Sequence, residues 1–397
     1  MLLNKDRLEE QMDRHGLDAV IATSPENVTY SSGFWALPQW IRRGPQAYVV
    51  WPANGVAEPE IVTSTSTLDL IADQDVWIPK VRRYGEFHVD AAEAPITDAP
   101  SRRHLELRNS RAYSDALAAL VSALKDAGLD RDRIGLEEDG LPPGYADTLA
   151  SRLPHITWAP AGPVFRVVRA VKTSAEIERL AQVAGIAERS IVAALRAAED
   201  GASERDLARA FDGQTVEEGA LPVLTCIGFG ERSALMNVQP SERKLRRGDI
   251  VRFDVGGRYR HYRADVARIA SFGEAPAEAR RQHRALLRGV QHAREIIRPG
   301  MPAAKLFEEV MGVVRAEGLP HYRRDHVGHG IGLDGYDAPS LSAMSTEVIE
   351  EGMVLCVETP YYEIGRWGLQ VEDMIVVRAH GAERLMATDG GLMEIEP

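Results

Sequence analysis

The stretch "GDIVRFDVGGRYRHYRADVARIAS", Gly248 to Ser271, reads as two β-runs joined by a tight turn, and each run carries an aspartate where an apolar side chain belongs. If the chain reverses near Tyr259-Arg260, Asp254 and Asp265 come to lie opposite each other on neighbouring strands. Two carboxylates that close repel unless a cation holds them or one is protonated. The pattern recurs downstream, with Glu358 in "MVLCVETP" and Glu372 in "LQVEDMIVV", both otherwise apolar β-runs. Burying one unpaired carboxylate costs several kcal/mol, so four of them point to a shared partner, and a divalent metal pair satisfies all four. His329, in the glycine-rich loop "HVGHGIGLDGYD" (His326 to Asp337), offers an imidazole to one metal. Singly, each acid could be an exposed strand residue or half of an ion pair; the ordered set of five carries the inference.

Working outward, a chain of 397 residues exceeds one ordinary core and predicts two domains. A hydrophobic fraction of 44% with 27% charged residues is that of a globular protein, and no apolar run nears the ~18 residues of a membrane span. The N-terminus, "MLLNKDRLEEQMDRHG", is charged throughout and lacks a signal peptide's apolar block, so a cytoplasmic location is expected. A net charge of −12 argues against a nucleic-acid partner. Cys226 and Cys356 sit inside apolar runs and read as buried, reduced thiols in strands.

Residues 2–15 have helical spacing with Gly16 as a stop, and "DAVIATS" and "QAYVVWP" read as strands. "SDALAALVSALKDAG" is a helix capped by Ser114 and ended by Gly128. "RIGLEED" and "HITWAP" follow as strands around a short helix near "GYADTLASRL", which predicts a small α/β domain over residues 1–160. Pro160, Gly162 and Pro163 interrupt regular structure, and a second domain, 161–397, begins there with a long helix. Thr173 and Glu176 have capping-box spacing at its start. A further helix starts at Ser203, two more lie in "EARRQHRALLRGVQHAREII" and "AAKLFEEVMGVVRAEG", and strands are expected over 222–228, 249–256, 262–270, 353–359 and 371–377.

The ordered set Asp254, Asp265, His329, Glu358, Glu372 resembles the dinuclear metallohydrolases of the pita-bread fold, in their aminopeptidase P, prolidase and creatinase branch. "GLDAVIATSPENVTYSSGFW" is similar to the N-terminal domain of that branch, and "GDIVRFDVGG", "ADVAR", "GHGIGL", "EEGMVLCVETPYY" and "VEDMIVV" to its metal motifs. The resemblance implies an α+β protein whose C-terminal pita-bread domain follows a smaller creatinase-type α/β domain. It implies a homodimeric enzyme that hydrolyses an amide or peptide C–N bond in a small molecule or short peptide. Asp254 would chelate one metal, Asp265 and Glu372 would bridge both, and His329 and Glu358 would complete the other, with Glu358 as proton shuttle. Oxygen-rich ligation with one imidazole suits manganese, cobalt, zinc or iron without choosing among them, and manganese is the leading expectation.

Three positions depart from the pattern. Tyr336 stands where prolidase-like members have a histidine after "GHGIGL", Asn237 stands where a second histidine is usual, and Gln370 replaces an arginine two residues before the last glutamate. Tyrosine and asparagine donate hydrogen bonds but do not shuttle protons near neutral pH. An atypical Xaa-Pro dipeptidase is therefore one expectation and a specialised amidohydrolase or lyase on the same scaffold a second. An inactive peptide-binding module, a third, is disfavoured by the five retained ligands. Tyr336 and Asn237 are candidate catalytic residues beside Glu358, and His326 and Tyr336 are candidate substrate contacts, with His261 behind them. In "GFWALPQWIRRGPQ", Trp35, Trp40, Arg42 and Arg43 are further candidates, because in the branch resembled one subunit's N-terminal domain reaches its partner's active site.

Overall fold

The structure, a computed structural model, describes residues 1–41 and 45–396. It forms two compact units that divide between Val168 and Arg169. No helix among the described residues is long and apolar enough to cross a membrane.

In the N-terminal unit the expected strands Ala19–Ala22, Tyr48–Pro52, Arg133–Leu136 and Thr157–Pro160 belong to one mixed seven-stranded sheet. Three strands not read from the sequence, Glu60–Ser64, Lys80–Tyr84 and Ala112–Tyr113, complete it. Ile21, Tyr48, Val50, Val62 and Ile134 pack against Leu117, Leu120 and Leu124 of the helix Ala116–Asp126. That helix is capped by Asp115, whose carboxylate accepts from the Ala118 N–H at 2.8 Å, and not by Ser114, whose hydroxyl donates to Asp115 instead. The two neighbours are both competent caps, and a charged acceptor at a helix N-terminus is favoured by the macrodipole. A second correction concerns Gly162–Ala170, which is a helix. Its Pro163 sits in the first turn, where a missing N–H costs nothing.

The C-terminal unit opens with α1 (Ser174–Arg196), whose capping box of Thr173 and Glu176 is present, and α2 (Glu204–Glu217), capped by Ser203. These pack on β1 (Leu221–Phe229) and β2 (Ile250–Tyr259). The chain then reverses through Arg260 and His261, both at positive φ, into β3 (Tyr262–Arg263) and β4 (Val266–Phe272). After α3 (Ala277–Ile296) and α4 (Ala303–Ala316) come β5 (His326–Gly330), β6 (Asp337–Ser342), β7 (Val354–Glu358) and β8 (Glu372–Arg378). Their order in the sheet is β3-β2-β4-β8-β7-β5-β6, with β1 beside β2. Leu355, Val357, Ile375 and Val377 join Leu286, Val290, Leu306 and Val310 of α3 and α4 in one core. Alternation along a strand then turns Cys356, Glu358, Glu372 and Met374 to the opposite face, and that face carries the site.

Candidate active site

Backbone register assembles the acids. Asp254 on β2 pairs with Ala267 on β4, Ala267 with Glu372 on β8, and Glu372 with Glu358 on β7. Directly opposed residues of antiparallel strands share a face, so one row crosses four neighbouring strands, with the small Ala267 leaving room at its middle. Asp265 is not opposite Asp254 as expected: it lies in the break between β3 and β4, two residues before Ala267. The same parity keeps it on the same side, and donor oxygens of Asp254, Asp265 and Glu372 lie within 4.8 Å of one another. Gln370 ties in the fourth acid, its amide donating to Glu358 Oε2 and Glu372 Oε2 at 3.3 Å each.

His329 is on a strand, not in a loop. Gly328 and Gly330 are required there by close packing, since a Cβ on either would stand 2.0 Å from the carbonyl oxygen of Cys356 or Ala338. The loop proper is 331–336. Arg263 holds it through the Gly332 and Leu333 carbonyls, at 2.9 and 3.1 Å, and Arg169 holds it through Asp334 and Asp337. His329 Nδ1 donates to the Gly330 carbonyl oxygen at 2.9 Å, which leaves Nε2 as the lone pair, 3.9 Å from Asp265 Oδ2. Burial pushes this imidazole down to about 4, so it is neutral and able to ligate.

Every acid of the row is pushed up. Burial is the first cause for all four, and for Asp265 and Glu372 the neighbouring carboxylates add to it and carry both well above the carboxylate range. Arg252 holds Asp254 back in part, and the charge of Arg324 draws against burial at Glu358, which reaches about 7. Glu372 Oε1 is buried with no hydrogen-bond partner. Four crowded carboxylates, an orphaned carboxylate oxygen and one aimed imidazole lone pair fit divalent cations and little else. Cys356, buried as expected, puts its sulfur within 4.8 Å of donor atoms of His329 and Glu372, while its thiol faces the Asp265 carbonyl oxygen at 3.7 Å.

The supporting arginine that the sequence lacks at position 370 arrives from β2, on the far side of β4 from β8. Arg252, wholly buried, donates through Nη1 to Asp254 Oδ2 and Gln370 Oε1, at 2.9 Å each. Its Nε and Nη2 reach the carbonyls of Ser233, Leu235 and Met236 at 2.7–2.8 Å, fixing the segment that leads to Asn237. Position 252 has the parity of 254, so a charged residue on the acid's own face was there to be read. Behind the row, Arg268 donates to the Glu372 carbonyl oxygen at 2.7 Å and to Asp373 at 2.9 Å.

A cavity of about 330 Å³ opens over the row, lined by the four acids and by His329, His326, Tyr336, Asn237, Arg324 and Tyr362 among others. Tyr336 is 65% exposed and stacks on His329 with ring centroids 3.9 Å apart. Burial and the carboxylates push its phenol up, so it stays a neutral hydrogen-bond donor. His326 Nδ1 stands 3.2 Å from Glu358 Oε1. Asn237 is exposed on its segment. His261 is in the β2–β3 turn and does not line the cavity. Within the N-terminal unit, the Trp40 indole donates to Thr29 Oγ1 at 3.2 Å and the Trp35 backbone N–H to Gln74; Arg42 and Arg43 lie outside the described residues. Arg252, Arg324 and Tyr362 were not found from the sequence.

Comparison with known proteins matches residues 178–379 to "Metallopeptidase family M24" and residues 5–171 to the "Creatinase/Prolidase N-terminal domain". The chain is 31% identical to the Xaa-Pro dipeptidase of Pyrococcus furiosus over 58% of its own length and 67% of that protein. It is 29% identical to the Xaa-Pro dipeptidase of Pyrococcus horikoshii over 98% and 97% of the two chains. Among solved structures, a dipeptidase from Mycobacterium ulcerans superposes with a TM-score of 0.78 at 26% identity, covering 99% of this chain and 98% of that one.

Proposed function

The chain belongs to metallopeptidase family M24, and on that premise we propose that it hydrolyses an amide-type C–N bond in a short peptide or peptide-like metabolite. In this proposal Asp254, Asp265, His329, Glu358 and Glu372 hold two divalent cations, manganese first among them. One observation carries it: the carboxylates of half-buried Asp254 and Asp265 and of buried Glu372 converge within 4.8 Å, and Glu372 Oε1 has no protein hydrogen-bond partner. Such ions, when bound, supply activation of water near neutral pH and polarisation of the scissile carbonyl.

The chain's own residues do the rest. Glu358, held by Gln370 on one oxygen and next to His326 Nδ1 on the other, takes a proton from the attacking water and passes it to the leaving nitrogen. Tyr336, fixed by stacking on His329, donates to a substrate oxygen and cannot serve as a base. The Tyr336 and Asn237 pair also favours a second reading, a member of the family that acts on a small metabolite other than an Xaa-Pro peptide. A hydrolysis screen of Xaa-Pro dipeptides, N-acyl amino acids and small cyclic amides, run with added Mn²⁺ and with metal content measured on the purified protein, separates the two. Cleavage of none of these, or protein that takes up no divalent metal, overturns the proposal.

A further inference from the structure

Arginines around the cavity are spoken for, with one exception. Arg252 gives its donors to Asp254, Gln370 and three carbonyls, Arg263 and Arg169 tie down the loop of Tyr336, and Arg268 serves Asp373. Arg324, just ahead of β5, lines the cavity, yet its buried Nε has no hydrogen-bond partner and no ion pair reaches it among the described residues. The guanidinium carbon stands 6.0 Å from the Tyr362 ring centroid, a cation-over-ring contact that orients the fork without using any of its N–H groups. A buried donor left unmet is unfavourable, and folding tolerates it where a ligand supplies the acceptor.

Charge counting identifies that ligand. With two divalent cations the four carboxylates are neutralised, and Arg252 remains bound to its own acceptors. Arg252 and Arg324 then leave the cavity with an excess of positive charge, and of the two it is Arg324, beside Glu358 and His326, that has a buried N–H without an acceptor. A planar guanidinium meets a carboxylate by two parallel N–H···O bonds, which a point charge cannot imitate. Resting on the amide-hydrolase reading above, we propose that Arg324 is the residue that sets specificity here: it receives the free carboxylate of the substrate, so the enzyme acts on small acidic amides, such as unblocked dipeptides or N-acyl amino acids, in preference to their neutral counterparts.

The test pairs acids with amides. Ala-Pro, Met-Pro and N-acetyl-L-methionine are each assayed beside the C-terminal amide of the same compound. The proteins are the metal-loaded natural chain, Arg324→Gln, Arg324→Lys, and Arg323→Gln as a control at the exposed neighbour. The natural chain should favour the cleaved acid by at least roughly tenfold in kcat/KM, the scale of a charge-assisted hydrogen bond. That ratio should fall toward one in Arg324→Gln, recover in part in Arg324→Lys, and hold in Arg323→Gln. Equal use of acid and amide by the natural chain, or a preference that survives Arg324→Gln, overturns the role of Arg324 while leaving amide hydrolysis standing. If none is cleaved, the amide-hydrolase reading falls, and calorimetric binding of the same pairs judges Arg324 by itself. Tighter binding of the acids that is lost in Arg324→Gln sustains anion recognition, and no difference between acid and amide ends it.

Discussion

Exchanging Arg252 and Gln370 tests whether a guanidinium beside Asp254 is what keeps the metal row in order. Arg252→Gln removes a wholly buried cation whose Nη1 lies 2.9 Å from Asp254 Oδ2. Losing one partner of a buried ion pair costs ~3–5 kcal/mol. The Leu235 and Met236 carbonyls belong to exposed residues and can regain water, so they add little. Ser233 is buried, and its carbonyl would lose a 2.8 Å donor. Glutamine keeps some donor capacity, which favours the low end, about 3 kcal/mol. For a unit of this size each kcal/mol moves Tm by ~2–4 °C, so a fall of roughly 6–12 °C is expected. Mn²⁺ affinity, read by titration calorimetry, should weaken at least about tenfold because the carboxylate of Asp254 is no longer held. Adding Gln370→Arg to Arg252→Gln returns the guanidinium from the segment just ahead of β8 and should recover half or more of both losses. An Arg252→Gln protein that melts and binds Mn²⁺ like the natural chain would refute the reasoning, as would a double variant no better than the single.

Other consequences follow from the same row. In metal-free protein, burial raises Glu358 from 4.5 to about 7, so the fold binds protons more tightly than the unfolded chain. That contribution to stability is full below 4.5 and is lost as pH rises through about 7; the melting gap between Mn²⁺-loaded and EDTA-treated protein should widen from pH 5.5 to 7.5, and a constant gap would count against it. Ala267→Leu crowds the row at its middle, with a cost of ~1–3 kcal/mol for overpacking, and should lower bound metal per chain while circular dichroism stays native. Tyr336→His together with Asn237→His should raise Xaa-Pro dipeptide cleavage if those imidazoles are what is missing, and no gain in kcat/KM would show that cavity shape governs instead.

The acids were legible because a carboxylate inside an apolar β-run is a local contradiction that one sequence displays. Which of them face each other was not, since that depends on register: Asp254 pairs with Ala267, and Asp265 reaches the same face from an irregular break. The histidine motif was misjudged as a loop because its glycines look like turn formers. Their actual service is to let β5 lie against its neighbours with no Cβ in the way. Arg252 carried a usable signal, the parity it shares with Asp254. Arg324 carried none, being one of a basic run, "YRRDH", and only its surroundings distinguish it from the exposed Arg323 beside it. In the N-terminal unit, β-branched runs such as "YVVWP" were found, whereas Lys80–Tyr84, "KVRRY", was hidden by its charged residues. Of these, Arg82 is buried and paired with Glu60 at 2.7 Å.

The most direct measurement is an anomalous difference map from crystals grown with Mn²⁺. A dinuclear site requires two peaks enclosed by the donor atoms of Asp254, Asp265, His329, Glu358 and Glu372, each at about 2.0–2.6 Å from its ligands. A map with no peak there, in crystals whose solvent holds millimolar Mn²⁺, would contradict it.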